Sequence, residues 1–219
     1  MKKLHKIIAA SLLASATTAG SGVVLAESPL TANVGVTSSY IWRGAAQSND
    51  RAAVSGGLDY AHDSGAYFGT WVSNLDGGQY EQDVYGGYGF DAGPVGLDIG
   101  YIKYLYPVGN GQADFDELYI NASIEMFSAG VALTTSKESG VFEDDTYFHV
   151  GAEFEVKKDL TLGLTYGDYD FDDPSATDYS HIQVSLSKGD FTFTYDDADV
   201  IGDAGDPRFT VSWSHSIDL

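Results

Sequence analysis

The sequence predicts an all-β fold, an antiparallel transmembrane β-barrel of about twelve strands, on three observations. Apolar and polar residues alternate with period two in segment after segment. The connections between segments are short and long by turns. The chain also closes on a strand that alternates right up to its terminal carboxylate.

At the start, Lys2, Lys3 and Lys6 precede an apolar run from Ile7 to Leu25, diluted by Ser, Thr and Gly and closing with Val24-Leu25-Ala26 before Glu27. A basic start, an apolar centre and small residues at a cut site mark a secretory signal peptide. The expected division is a signal peptide over residues 1–26 and a barrel over 27–219, exported to a bacterial outer membrane. No other segment reaches the roughly 18–20 apolar residues of a membrane helix. The chain has 0 Cys, which excludes a lipid-modified N-terminal cysteine and a disulfide framework alike. The formal charge is −21, from 11 basic and 32 acidic residues; without the three leader lysines, 8 against 32 leaves −24. Such a chain excludes nucleic acid as a partner, and 15 Tyr with 11 Phe exclude disorder.

Alternation places strands at 30–43, 52–61, 66–75, 79–90, 95–106, 116–126, 129–137, 146–156, 160–168, 179–187, 191–196 and 208–219. Most approach the roughly 9–11 residues of a tilted membrane-spanning strand. Short turns fall at His62–Gly65, Asp91–Pro94, Phe127-Ser128, Val156–Asp159 and Ser187–Asp190, with the Gly, Pro, Asp and Ser that tight hairpins require. Mostly longer loops lie between them, near Ala45–Arg51, Asp76–Gly78, Pro107–Phe115, Lys137–Asp145, Asp168–Asp178 and Asp197–Pro207. Short periplasmic turns and longer extracellular loops on an even number of strands are the outer-membrane pattern.

Facing follows from parity. Leu118, Ile120, Ala122, Ile124 and Met126 oppose Glu117, Tyr119, Asn121, Ser123 and Glu125; Phe148, Val150, Ala152 and Phe154 oppose Tyr147, His149, Gly151 and Glu153. Val184 is expected toward lipid and Ser185 toward the lumen, where an Arg would be tolerated. The register of 66–75 stays open, because Tyr67, Trp71 and Leu75 compete with Phe68 and Val72 for the apolar face. A soluble sandwich also alternates, but its exterior carries more Lys than the Gly, Ser, Thr, Tyr and carboxylates here. Tyr40, Trp42, Tyr60, Tyr88, Phe90, Tyr106, Tyr166 and Trp213 are expected in interfacial aromatic girdles.

On the terminal strand, Phe209, Val211, Trp213, His215, Ile217 and Leu219 share the apolar face. This face, in Phe209, Val211, Trp213, Ile217 and Leu219, resembles the signal read by the barrel-assembly machinery, although Leu219 stands where Phe or Trp is more usual.

The run Ser39-Tyr40-Ile41-Trp42-Arg43-Gly44 with Gln47, then Gly56-Gly57-Leu58-Asp59-Tyr60 and Ser64-Gly65-Ala66-Tyr67-Phe68-Gly69-Thr70-Trp71-Val72-Ser73-Asn74, resembles the TorF-type porin family of proteobacterial outer membranes. Ala46 departs from the family's Ser or Thr, and the acidic residue it carries between Ser and Tyr is absent. The resemblance implies an outer-membrane barrel and a pore, without a substrate.

With Trp42 toward lipid, Arg43 faces the lumen, and its expected partners are Glu81, Asp83, Asp98, Glu117, Glu125, Glu153 and Asp196; Arg208 joins the same set. Two readings stand open: a charged constriction that selects ions or small solutes, or a salt-bridge network that plugs the barrel. About twelve strands lie between filled barrels of eight and open channels of sixteen. A pore here would be narrow, and its excess of carboxylates would favour cations. A non-conducting structural or adhesion barrel acting through acidic loops is the alternative.

Asp168, Asp170, Asp172 and Asp173, and Asp197, Asp199, Asp203 and Asp206, could collect weakly held divalent cations bridging to lipopolysaccharide, but neither run has a full calcium-loop pattern. No metal or cofactor site is expected. A lipid hydrolase is weighed on His149, His181 and Ser185, but no nucleophile elbow, zinc-binding helix or phosphate loop accompanies them.

Overall fold

A computed structural model describes residues 29–108, 113–138, 140 and 144–219; the expected signal peptide lies outside the described residues. The strands are β1 (Leu30–Thr37), β2 (Ile41–Trp42), β3 (Ala45–Ala46), β4 (Ala53–Ala61), β5 (Ala66–Asn74), β6 (Tyr80–Ala92), β7 (Val95–Leu105), β8 (Phe115–Ile124), β9 (Phe127–Lys137), β10 (Thr146–Lys157), β11 (Leu160–Asp170), β12 (Tyr179–Lys188), β13 (Phe191–Ala198) and β14 (Arg208–Asp218). Setting aside the hairpin β2–β3, the other twelve form one closed antiparallel barrel. Each pairs with the next along the chain, and β14 returns to β1 with Ser212 opposite Thr37 and Asp218 opposite Thr31. Helix among the described residues is limited to two 3₁₀ turns, Asp76–Gly78 and Asp203–Gly205.

The barrel is apolar on its outer surface and polar within, as its alternation requires. Phe68 and Phe209 are 62% and 84% exposed on the outside, while Asp83, Asp196 and Glu117 are 1–2% exposed inside. A water-soluble barrel would reverse this, burying its oily residues. The register of β5 resolves with Tyr67, Trp71 and Ser73 inward and Phe68 and Val72 outward. Val184 lies outward and Ser185 inward, but Ser185 is fully enclosed at 1% exposure, so the wall there is packed and has no room for an Arg. Three inward tyrosines lie over glycines directly across the ladder: Tyr85 over Gly69, Tyr67 over Gly87 and Tyr119 over Gly100. A Cβ on any of those glycines would overlap the ring.

The His62–Gly65 turn lies where expected, and the other short turns are two-residue links, each tighter than expected or shifted. The β8–β9 turn is Glu125-Met126, not Phe127-Ser128, and Glu125 takes a left-handed φ of 53° in it. Glu125 is therefore exposed at the rim and does not face the lumen, because alternation stops where the hairpin turns. Gly93 and Gly189 supply the same kind of backbone at φ 70° and 56°.

The largest departure is at the first strand, expected over 30–43. β1 ends at Thr37, and residues 38–52 fold back from the long-loop rim into the barrel. A hairpin reverses there on Arg43 (φ 49°) and Gly44 (φ 82°), with Ile41 opposite Ala46 and Trp42 opposite Ala45. Tyr40, Trp42 and Tyr106 consequently join the interior cluster, and do not form part of an outer girdle. Tyr60 stacks on Phe68 on the outside at 5.1 Å between ring centroids, and Tyr88 lies tilted against Phe90 at 6.0 Å.

Candidate functional site

The lumen around the inserted segment gathers most of the charged and aromatic residues of the interior. The segment holds its own shape first. Ser48, fully buried, accepts the Tyr40 N–H at 2.8 Å and donates to the Arg51 carbonyl at 2.6 Å, and the Gln47 N–H reaches the Tyr40 carbonyl at 2.8 Å. Buried backbone groups away from a sheet are thus satisfied within the loop.

The segment then touches wall strands around the barrel. Tyr40 packs edge-on against Trp71 of β5 (5.6 Å) and donates its hydroxyl to Glu81 of β6 at 2.7 Å. Tyr106 donates to the other Glu81 oxygen at 2.8 Å. The Tyr40 hydroxyl, 2% exposed, is thus committed as donor to a buried carboxyl group. Trp42 meets Tyr104 of β7 (5.9 Å), Phe115 of β8 (6.2 Å) and Tyr169 of β11 (5.9 Å). Gly44 rests against His181 of β12 and Ala198 of β13, where a Cβ would overlap the His181 side chain. At the rim, Asp50 pairs with Arg208 of β14 and Arg51 with Asp76.

Arg43 is the electrostatic centre. Its two terminal nitrogens reach the two Glu117 oxygens at 2.8 and 2.7 Å, a bidentate fork, with both side chains under 10% exposed at 9% and 2%. Its guanidinium lies over Tyr147 (4.0 Å), Trp42 (4.4 Å) and Tyr169 (5.3 Å). Each desolvated ring face contributes up to about 2 kcal/mol. A cavity of about 20 Å³ lies beside it, lined among others by Tyr104, Tyr119, Asn121 and His149. That is room for about one water. Above, toward the loops, Trp42, Phe115, Tyr169 and Phe171 with the Lys137–Asp145 pair (2.7 Å) line a vestibule of about 290 Å³.

Of the residues singled out from the sequence, Arg43 and Glu117 are brought together, with Glu81 and Asp83 on the neighbouring inner wall. Asp83 is buried with one oxygen lacking a hydrogen-bond partner among the described residues. Asp98 accepts from Tyr67 at 2.7 Å and Asp196 from Gln183 at 2.6 Å, each bound locally within the wall. Glu153 faces inward, half-buried, near the short-turn end. Arg208 belongs to the rim and not to the lumen's charge set. It pairs with Asp50 at 2.5 Å and donates to the carbonyls of Ala204 (3.0 Å) and Asp206 (2.6 Å), because it starts its strand at the loop end. Tyr104, Tyr147 and Tyr169, which hold Trp42 and Arg43, went unselected; their signal was inward parity on three strands close to the long-loop rim.

The other constellations resolve differently. His181 Nε2 lies 2.9 Å from the Tyr147 hydroxyl, and Ser185 Oγ has no hydrogen-bond partner among the described residues, so these two do not meet as nucleophile and base. In the loops, Asp173 accepts from the Ser175 hydroxyl at 2.7 Å and its N–H at 2.8 Å, bonds that hold its carboxyl below the usual range. Asp178 accepts the Phe171 N–H at 2.9 Å. Among the described residues, no group of three or more His, Asp or Glu is placed to hold a metal ion.

A family model described as a bacterial protein of unknown function (Gcw_chp) matches residues 24–214; the matching model does not carry the TorF name. No curated protein matches the chain. Among solved structures, the KdgM porin is similar at 10% identity and a TM-score of 0.59, covering 85% of this chain and 99% of that one. The KdgM porin in complex with disordered oligogalacturonate is similar at 8% identity and a TM-score of 0.57, covering 87% and 98%. At such identities the likeness is one of fold, a porin-type barrel.

Proposed function

The chain belongs to the Gcw_chp family, and from that premise and its inside-out barrel we propose that the protein is an outer-membrane channel for ions or small solutes, narrow and cation-preferring. The observation that carries this reading is a closed barrel whose enclosed face bears Glu81, Asp83, Asp98, Glu117, Glu153 and Asp196, with Arg43 as the one arginine among them in the described residues. A band of one sign concentrates counterions and repels co-ions. The same argument disfavours a polyanion such as the oligogalacturonate held by the KdgM porin. Residues 38–52 would be the constriction, since they cross the lumen without belonging to its wall. The short turns would face the periplasm and the acidic loops the exterior.

Purified protein in a planar bilayer should give a small conductance whose reversal potential in a salt gradient reports cations. Folded, inserted protein that passes no current would overturn the channel.

A second reading has its own observation. The cavity beside Arg43 holds about 20 Å³, room for about one water, and a lumen filled this tightly favours a barrel that serves as a non-conducting scaffold for its loops. Liposome swelling separates the two: sugar-dependent swelling supports the channel, and tight liposomes support the scaffold.

A further inference from the structure

Arg43 is held the way a bound ligand is held. Glu117 of β8 grips both ends of its fork at 2.7 and 2.8 Å, Tyr147 of β10 lies under it at 4.0 Å, and Tyr169 of β11 flanks it at 5.3 Å. All three belong to the barrel wall, whereas Arg43 belongs to an inserted segment that adds no strand to the barrel. The Glu117 carboxylate is 2% exposed and surrounded by rings, with the Tyr104 hydroxyl 3.4 Å away. Withdrawing the segment leaves that carboxylate buried without a cation, a state proteins avoid. A carboxylate met on both oxygens by one fork, with aromatic faces beside it, favours a planar, weakly hydrated guanidinium over a compact ammonium.

We propose that Glu117, Tyr147 and Tyr169 form a binding site for small guanidinium compounds, which Arg43 occupies as a tethered ligand and from which such a compound competes it away. Passage of these compounds through the barrel rests on the channel reading; binding does not.

The test uses the full mature chain refolded in detergent and then in bilayers, with methylguanidinium as probe and methylammonium at equal ionic strength as control. In Arg43→Ala, methylguanidinium should raise the melting temperature read by heat-modifiable gel mobility and block current, at concentrations about tenfold below those of methylammonium. Adding Glu117→Gln should abolish both effects. Arg43→Lys, which keeps a cation on Glu117 and so protects folding, should respond in the same order at higher concentrations. A folded Arg43→Ala or Arg43→Lys protein that does not distinguish the two probes, or responds equally without Glu117, overturns the site. Stabilisation by methylguanidinium that needs Glu117, in a protein that never conducts, keeps the site and removes the channel.

Discussion

The two halves of the barrel interior are built from different materials. From β5 to β11 the wall presents Trp71, Tyr85, Tyr104, Tyr119, Tyr147 and Tyr169 with buried carboxylates among them. From β13 through β14 to β1 it presents Thr192, Thr194, Thr210, Ser212 and Thr37, joined hydroxyl to hydroxyl: Thr194 to Thr210, and Ser212 to Thr37 at 3.0 Å. The aromatic half fills volume and grips the inserted segment by ring contact and charge. The hydroxyl half fills little volume and bonds its own strands to one another. The difference teaches that the ring contacts and the buried ion pair holding the plug come from one side of the cylinder, while the other side meets it through Gly44 and Asp50 and joins its own strands by hydroxyls.

That division can be broken experimentally. Deleting Ser216–Leu219 removes the pairs Ser216–Asn33, Ile217–Ala32 and Asp218–Thr31 that close the sheet on the hydroxyl side. Loss of the folded, heat-modifiable band is expected, since an open sheet edge cannot be satisfied in lipid; a normal band would place closure elsewhere.

On the aromatic side, Glu117→Ala strands the Arg43 guanidinium. A cost of about 3–5 kcal/mol is expected in urea or thermal unfolding from detergent, together with raised conductance if the segment gates. Replacing both partners, Arg43→Met with Glu117→Leu, should recover most of that loss, and failure to recover would mean that Glu117 has a further role.

Thr194→Val should cost only about 1 kcal/mol, and Thr194→Val with Thr210→Val close to nothing, because both halves of the bond are then apolar. Conductance should not change in either. Among single substitutions the smallest effect belongs to Arg51→Ala: the Arg51–Asp76 pair lies at the rim with the arginine side chain 70% exposed, and about 0–1 kcal/mol is expected.

Period-two alternation made the barrel legible, because a wall between oil and water leaves that pattern on every strand; β10, expected at 146–156 and found at Thr146–Lys157, is typical. The plug was not legible from alternation, since Tyr40-Ile41-Trp42-Arg43 alternates as a strand does while lying in a hairpin. Its trace was length. The segment 30–43 exceeds the roughly 9–11 residues a tilted strand needs to cross, and the surplus folded inward. The hydroxyls and carboxylates of the inward face leave constriction and plug alike open, although its tyrosines already carry the volume to fill it. Glu125 and Arg208 had the right parity at the wrong height, since alternation says which face a residue takes and nothing about where the strand stops.

Alternation also cannot police every misalignment. A strand displaced by one residue turns its oily side to the axis and is rejected at once, but a displacement by two keeps every side chain on its proper face. The rings of Tyr85 and Tyr119, seated on Gly69 and Gly100, oppose that second error, because after it Tyr85 would face Trp71 or Tyr67 and Tyr119 would face Ile102 or Asp98 where each now meets no side chain; Tyr67, seated on Gly87, opposes it in the direction that would set it against Tyr85. These three couples act as notches in a zip, checking β5 against β6 and β7 against β8 while the cylinder is being stitched.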